Sequence, residues 1–252
     1  MRPASTVCRV KLHVHEWGDP SLPALVCLHG VTAHGERFKQ LAEERWARRF
    51  HVLAPDLRGH GRSSWEPPWT FAQHVEDLAE TFPKPCNWLG HSFGGRLVLE
   101  LAVRRPELVR RAVLLDPALH VLPQVAEHIA NQERADQVYD SVEAYVDSRS
   151  DAAGLDRARA IADMKLHVDA LPDGRVRRRS SQSAVVSIYG ELATEPPRPP
   201  QVPTLLLYAP DYGLVRDEHV RQYETVFTVP GGHMVMWSAF DATADAVEQF
   251  LS

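Results

Sequence analysis

No apolar run in the 252-residue chain approaches the ~20 residues needed to cross a bilayer, which excludes a spanning helix. Met1 to Val10 has no apolar core of signal-peptide length, so secretion by that route is not supported. Cysteine is scarce. Cys8, Cys27 and Cys86 form an odd set without metal-ligand spacing, and two of them lie in or beside apolar strand-like runs. They read as small buried thiols, consistent with a reducing cytoplasm. Positive charge is not in excess either: 28 basic against 33 acidic residues give −5, so composition does not point to nucleic acid. There is no internal repeat and no low-complexity tail. The length suffices for one sizeable core, or for a core with a lid.

What is present is organised around Pro85 to Glu100. A short apolar run ends at Leu89 and continues as Gly90-His91-Ser92-Phe93-Gly94-Gly95. Apolar residues then recur at Phe93, Leu97, Val98 and Leu101, the spacing of a helix. Ser92 therefore sits where a buried strand turns into a helix. Glycines at 90 and 94 let the turn tighten and lift the hydroxyl onto an exposed tip. The helix N-terminus behind it favours developing negative charge. This G-x-S-x-G elbow in its strand–turn–helix setting resembles that of the α/β-hydrolase family. The resemblance implies the α/β-hydrolase fold, a mainly parallel central sheet flanked by helices with a helical cap insertion.

The remaining chain fits that expectation. Val10, Leu12 and Val14 alternate with polar neighbours within Val7 to Trp17, a half-exposed antiparallel strand. Ala24 to Leu28 is a buried strand feeding the loop His29-Gly30, Gln40 to Arg49 is helix-like, and Phe50 to Ala54 is the next strand. A glycine-punctuated loop, Asp56 to Ser63, precedes a helix over Phe71 to Thr81. Ala112 to Leu115 is a further strand ending at Asp116-Pro117. Strands alternating with helices imply βαβ units and a parallel sheet. From about residue 120 the texture changes. Val121 to Ala170 reads as charged, alanine-rich helices, Gly174 to Ser181 as a basic turn or loop, and Pro196 to Pro200 as a stiff connector. Strands at Thr204 to Tyr208 and Thr225 to Val229 and a helix over Ala242 to Leu251 complete the chain. The expected organisation is core at 1–119, helical cap at 120–200 and core at 201–252. In the resembling family such a cap lies between the sixth and seventh core strands, over the active site.

A serine hydroxyl needs a base, and the base an orienting acid. Among 13 histidines, His233 stands out, because Pro230-Gly231-Gly232-His233 follows the last strand and would hang over the strand ends. It also matches the Ser…acid…His order of this fold. His91 reads as structural, since consecutive residues at a sharp elbow point apart; His29, His34 and His60 could touch ligand. The resemblance places the acid after the strand that follows the cap, where Asp211 stands and Asp217 is a second candidate. Asp211 is favoured, although it falls about one residue early and Tyr212 takes the expected place. Asp116 is its rival, because some family members draw the acid from that strand end. By the same resemblance, oxyanion donors are the backbone N–H groups of Val31 and Phe93. The Asp56 to Ser63 loop resembles the family's D-x-R-G-x-G-x-S loop and is assigned a scaffold role. The arginines at 175, 177, 178 and 179 could meet an anionic substrate such as a coenzyme A thioester, but read first as a solvated loop. Trp65, Trp69, Trp88 and Trp237 could line an acyl pocket, or equally pack in the core.

The function implied is a serine hydrolase cleaving small carboxylic esters through an acyl-enzyme, without cofactor or metal. A small-molecule ester is the partner, nucleic acid and a membrane span are not expected, and the sequence leaves the oligomeric state open. Thioester or carbon–carbon bond hydrolysis, a lyase of the menaquinone-pathway type, and a non-catalytic ligand-binding protein of the same fold remain as alternatives.

Overall fold

The computed structural model describes residues 12–149 and 156–252; the expected strand residues before 12, and Cys8, lie outside them. β1 (Val14–Trp17) pairs antiparallel with β3 (His51–Pro55). Beyond it β2 (Ala24–Leu28), β4 (Cys86–His91), β5 (Val109–Leu115), β9 (Thr204–Tyr208) and β10 (Thr225–Thr228) run parallel. The sheet order among the described residues is β1-β3-β2-β4-β5-β9-β10. Its central strands are apolar without a break because both faces are covered. Leu25 and Cys27 of β2 pack on one face with Leu89, Val113, Leu205 and Leu207. Val26 and Leu28 pack on the other with Trp88, Leu114 and Leu206. Cys27 and Cys86 are buried free thiols, and burial pushes the Cys86 thiol up to about 12.

α1 (Lys39–Glu44), α2 (Phe71–Thr81) and α3 (Phe93–Arg104) connect the first strands. Thr70 fixes the start of α2, its hydroxyl accepting from the Gln73 N–H at 3.2 Å. The chain leaves β2 toward β3 on one side and returns to β4 on the other. The crevice at such a reversal, at the carboxyl ends of the strands, is where this architecture collects ligands.

Between β5 and β9, in chain order the fifth and sixth strands of the large sheet among the described residues, lie α4 (Pro123–Gln132), β6 (Val138–Tyr139), α5 (Val142–Asp147), α6 (Arg157–Lys165), β7 (Val168–Ala170), β8 (Val176–Arg178) and α7 (Gln182–Leu192). The expected helices are present as α4 to α7, but the expectation that Val121 to Ala170 is helical throughout is corrected. β6, β8 and β7 form a small antiparallel sheet, and the expected basic loop contains the central strand, β8. Tyr145, Val146, Ala160, Met164, Val168 and Val176 give the insertion its own small core. A buried ion pair, Arg37 Nη2 to Asp163 Oδ2 at 2.6 Å, ties it to the chain after β2. α8 (Asp217–Val220), α9 (Val235–Ser238) and α10 (Phe240–Leu251) complete the chain. No helix among the described residues is long and apolar enough to cross a membrane.

Candidate active site

Ser92 stands between β4 and α3 at φ 55°, ψ −119°, a conformation that side chains rarely adopt. The turn is held by the backbone: Ser92 N–H donates to Leu115 O at 3.1 Å, and Ser92 O accepts from Ala118 N–H at 3.0 Å. The flanking glycines permit it. A Cβ on Gly90 would lie 2.1 Å from Gly94 O, so the strand end and helix start could not close on each other with any other residue there.

The expectation that Asp211 meets His233 is corrected. Asp211 is exposed in a 3₁₀ turn, Pro210–Tyr212, that begins almost as soon as β9 ends. Asp116 takes the place instead: its Oδ2 lies 2.5 Å from His233 Nδ1. Asp116 is fully buried at the end of β5, at φ 37°. Its Oδ1 accepts from Ala209 N–H at 3.1 Å, so one carboxylate joins the ends of β5 and β9 and orients the imidazole. Asp217 is exposed at the start of α8 and makes no contact with the imidazole. Tyr212, beside Asp211, stacks on His233 with ring centroids 4.9 Å apart. The His91 ring packs on His233, its Nε2 2.9 Å from the His233 carbonyl oxygen. With Nδ1 bonded to a carboxylate, Nδ1 carries the proton and Nε2 is left as the acceptor.

The loop after β2 is braced from below. Leu57 N–H donates to His29 Nε2 at 2.9 Å, which leaves His29 Nδ1 to donate to Gly30 O at 2.8 Å. Thr32 N–H donates to His60 Nε2 at 3.3 Å, and Gly35 N–H to Asp56 Oδ1 at 2.8 Å. Burial disfavours the Asp56 charge, but donors from His15, Arg62 and Gly35 outweigh it and hold the carboxyl below its ordinary range. Arg58 grips Asp77 through Nε and Nη2, both at 2.6 Å. The glycine-punctuated loop thus positions the His29-Gly30 loop. Val31 leaves it beside the serine, since a Cβ on Gly30 would fall 3.1 Å from Ser92 Cβ. Phe93 is the first residue of α3 and is buried. His13, His15 and Asp56 place one ligand atom each within 4.8 Å of one another, the one grouping of metal-binding type among the described residues.

Ser92, His233 and Val31 line a cavity of about 880 Å³ between the core and the insertion. That is ample for a small ligand. Its apolar wall includes Val121, Leu122, Val125 and Ile129 from the α4 region and Val185 and Leu192 from α7. Sequence reasoning missed Thr32, Tyr145, Arg149, Tyr212 and Arg216, which also line it. Thr32 follows Val31 in the loop after β2 and Tyr212 follows Asp211 in the turn after β9, whereas Tyr145, Arg149 and Arg216 lie in no motif and are brought there by long-range packing. Of the expected ligand contacts, His29, His34 and His60 are buried in the scaffold and not on the wall. Of the basic cluster only Arg178 reaches the cavity, bound to Glu133 at 2.8 and 2.5 Å. None of the four tryptophans lines it; Trp88 donates to Leu108 O in the core, and Arg37 lies over Trp237.

The buried histidines make stability depend on pH. Burial, more than any neighbour, lowers His60 to about 4 and His74 to about 3, and takes His29 and His167 well below 6.5. Each stays neutral in the fold while the unfolded chain takes up a proton below 6.5. Their contribution is therefore complete above that pH and declines as pH falls, by up to ~1.4 kcal/mol per pH unit for each group. The urea midpoint should fall between pH 7.5 and 5, and His74→Leu should make the decline shallower. A stability independent of pH over that range would contradict this account.

The chain is similar to known proteins. A family model described as "Alpha/beta hydrolase family" matches residues 25–246. Lipase LipV of Mycobacterium tuberculosis is 38% identical over 198 residues, 76% of this chain and 75% of that protein. The sn-1-specific diacylglycerol lipase ABHD11 of Mus musculus is 33% identical over 150 residues, covering 50% of this chain and 48% of that protein. The crystal structure of E-2-(acetamidomethylene)succinate hydrolase superposes with a TM-score of 0.84 at 23% identity, over 97% of this chain and 96% of that one, a likeness of fold. With the elbow, the parallel sheet and a family match over most of its length, the chain belongs to the alpha/beta hydrolase family.

Proposed function

We propose that the protein is a serine hydrolase of carboxylic esters, with Ser92 as nucleophile, His233 as base and Asp116 as its orienting acid. The observation that carries this reading is the 2.5 Å contact of Asp116 Oδ2 with His233 Nδ1, with Ser92 and His233 on one cavity. Relatives named as lipases support an ester as the substrate class. Ser92 Oγ attacks the ester carbonyl as His233 Nε2 takes its proton, forming a tetrahedral oxyanion. The N–H groups of Val31 and Phe93 are assigned to that oxyanion, each such donor being worth ~10²–10³ in rate. Collapse expels the alcohol with the proton from His233 and leaves the acyl group on Ser92. Water, deprotonated by His233, then releases the carboxylic acid and restores the serine. The insertion acts as a cap that sets which ester enters.

A fluorophosphonate probe followed by mass mapping tests this. Rapid labelling of Ser92, blocked in His233→Ala, is the expected result. Folded protein that resists the probe would favour a ligand-binding member of the fold.

A further inference from the structure

We propose that His13, His15 and Asp56 bind a divalent transition cation of the zinc type, which clamps the outer strand of the large sheet to the loop after β3. The site stands apart from the esterase centre, since none of the three lines the cavity shared by Ser92 and His233. Side chains two apart on extended chain share a face, and the His13 and His15 rings lie 4.7 Å apart between centroids. The β1–β3 register pairs His15 with Ala54 and Val14 with Pro55, so one step further sets His13 opposite Asp56. The backbone continues that step: Asp56 N–H donates to His13 O at 2.8 Å. Ser63 closes the pair, its hydroxyl accepting from His13 N–H at 2.9 Å and donating to Asp56 O. Residues paired in this way point to the same face. One ligand atom from each of the three side chains therefore lies within 4.8 Å of the others.

Two imidazoles and a carboxylate form a donor set that suits Zn²⁺, with water in the fourth position. His15 Nε2 and Asp56 Oδ1 are 3.2 Å apart. That is near the ~3.3 Å between two ligands held at about 2.0–2.1 Å on a tetrahedral Zn²⁺. A cation there takes the place of the proton between them. The carboxylate is already oriented, Oδ1 accepting from Gly35 N–H at 2.8 Å and Oδ2 from Arg62 N–H at 2.9 Å. Such outer bonds fix a ligating group and tune its strength. The Trp17 ring stacks on His15, and a Cβ on Gly35 would fall 2.7 Å from His15 Cδ2, so the ring fills the space that the glycine leaves. Glu36 and Arg62 act on His13 with opposite sign, which leaves the Asp56 charge in excess and favours a cation. Burial, then the His15 ring, lowers His13, so that ring is neutral and ready to ligate at neutral pH. His13 and His15 are half-buried, open to an ion and its water.

Calorimetric titration with zinc chloride tests the site. Wild-type protein should bind one Zn²⁺ there, and His13→Ala and His15→Ala should each weaken that binding at least tenfold. His128→Ala, at an exposed histidine of α4, should leave it unchanged. Zn²⁺ at a hundredfold excess over Kd should raise the wild-type unfolding midpoint by about 5–10 °C, and that of His13→Ala by no more than half as much. Co²⁺ used as a probe should show the visible bands of a nitrogen- and oxygen-ligated ion, lost in His13→Ala. Circular dichroism of the metal-free variants checks their folding. Should His15→Ala fail to fold, His15→Gln keeps a donor for Asp56 and should still lose the cation. Folded wild-type protein that binds no Zn²⁺, or binding that survives both His13→Ala and the folded His15 variant, would overturn the proposal.

Discussion

Ser92→Ala is expected to lower kcat for a p-nitrophenyl ester by about 10⁶ while the protein remains folded. The magnitude follows from triads acting as a unit, where loss of the nucleophile removes nearly the whole covalent route. A residual ~10³ over water would persist, from the oxyanion donors and from substrate positioning. Folding should survive because the elbow is held by its backbone, through Ser92 N–H to Leu115 O and Ala118 N–H to Ser92 O. The unusual φ of 55° costs alanine no more than serine, since neither is glycine. Steady-state kinetics with thermal unfolding of both proteins checks the result. A variant that is folded and retains more than a few percent of the rate would remove Ser92 from the mechanism.

That the serine could be read from the sequence reflects how local its causes are. Strand, glycine, serine, glycine and helix are contiguous, and each constrains the next. Ala24–Leu28, Phe71–Thr81 and Thr204–Tyr208 were equally legible, because continuous burial or a helical period fixes them within their own length. The insertion's sheet was not. β6 has two residues and β7 and β8 three each, too few for any period to register. β8 alternates Val176 inward, Arg177 outward and Arg178 inward, and Arg178 can be buried only because Glu133, 45 residues earlier, meets its charge. A run of arginines reads as solvated when its partner cannot be seen. The same limit hid Arg149 and Thr32, which are 117 residues apart and meet only once the insertion folds over the core.

Asp116→Asn is expected to lower kcat by about 10⁴, and Asp211→Asn to leave it within a few-fold of wild type. The two residues show where reading along the chain gives way to reading across the sheet. Asp211 occupies the loop after β9, but Pro210 and the turn that follows leave it exposed, with Tyr212 against the imidazole. Asp116 ends the neighbouring strand, and the β5–β9 pairing carries it to the same point in space. Asparagine there is nearly isosteric, and its carbonyl oxygen can still accept from Ala209 N–H. The amide then turns its NH₂ toward His233 Nδ1, which must become an acceptor. The ring proton moves to Nε2, the nitrogen that has to accept from Ser92, so the base is lost through its tautomer while the packing is kept. Kinetics of the two variants side by side, with unfolding midpoints, decide the matter. A large loss in Asp211→Asn with a near-normal Asp116→Asn would return the acid to the loop after β9 and require that loop to rearrange around His233 in the working enzyme.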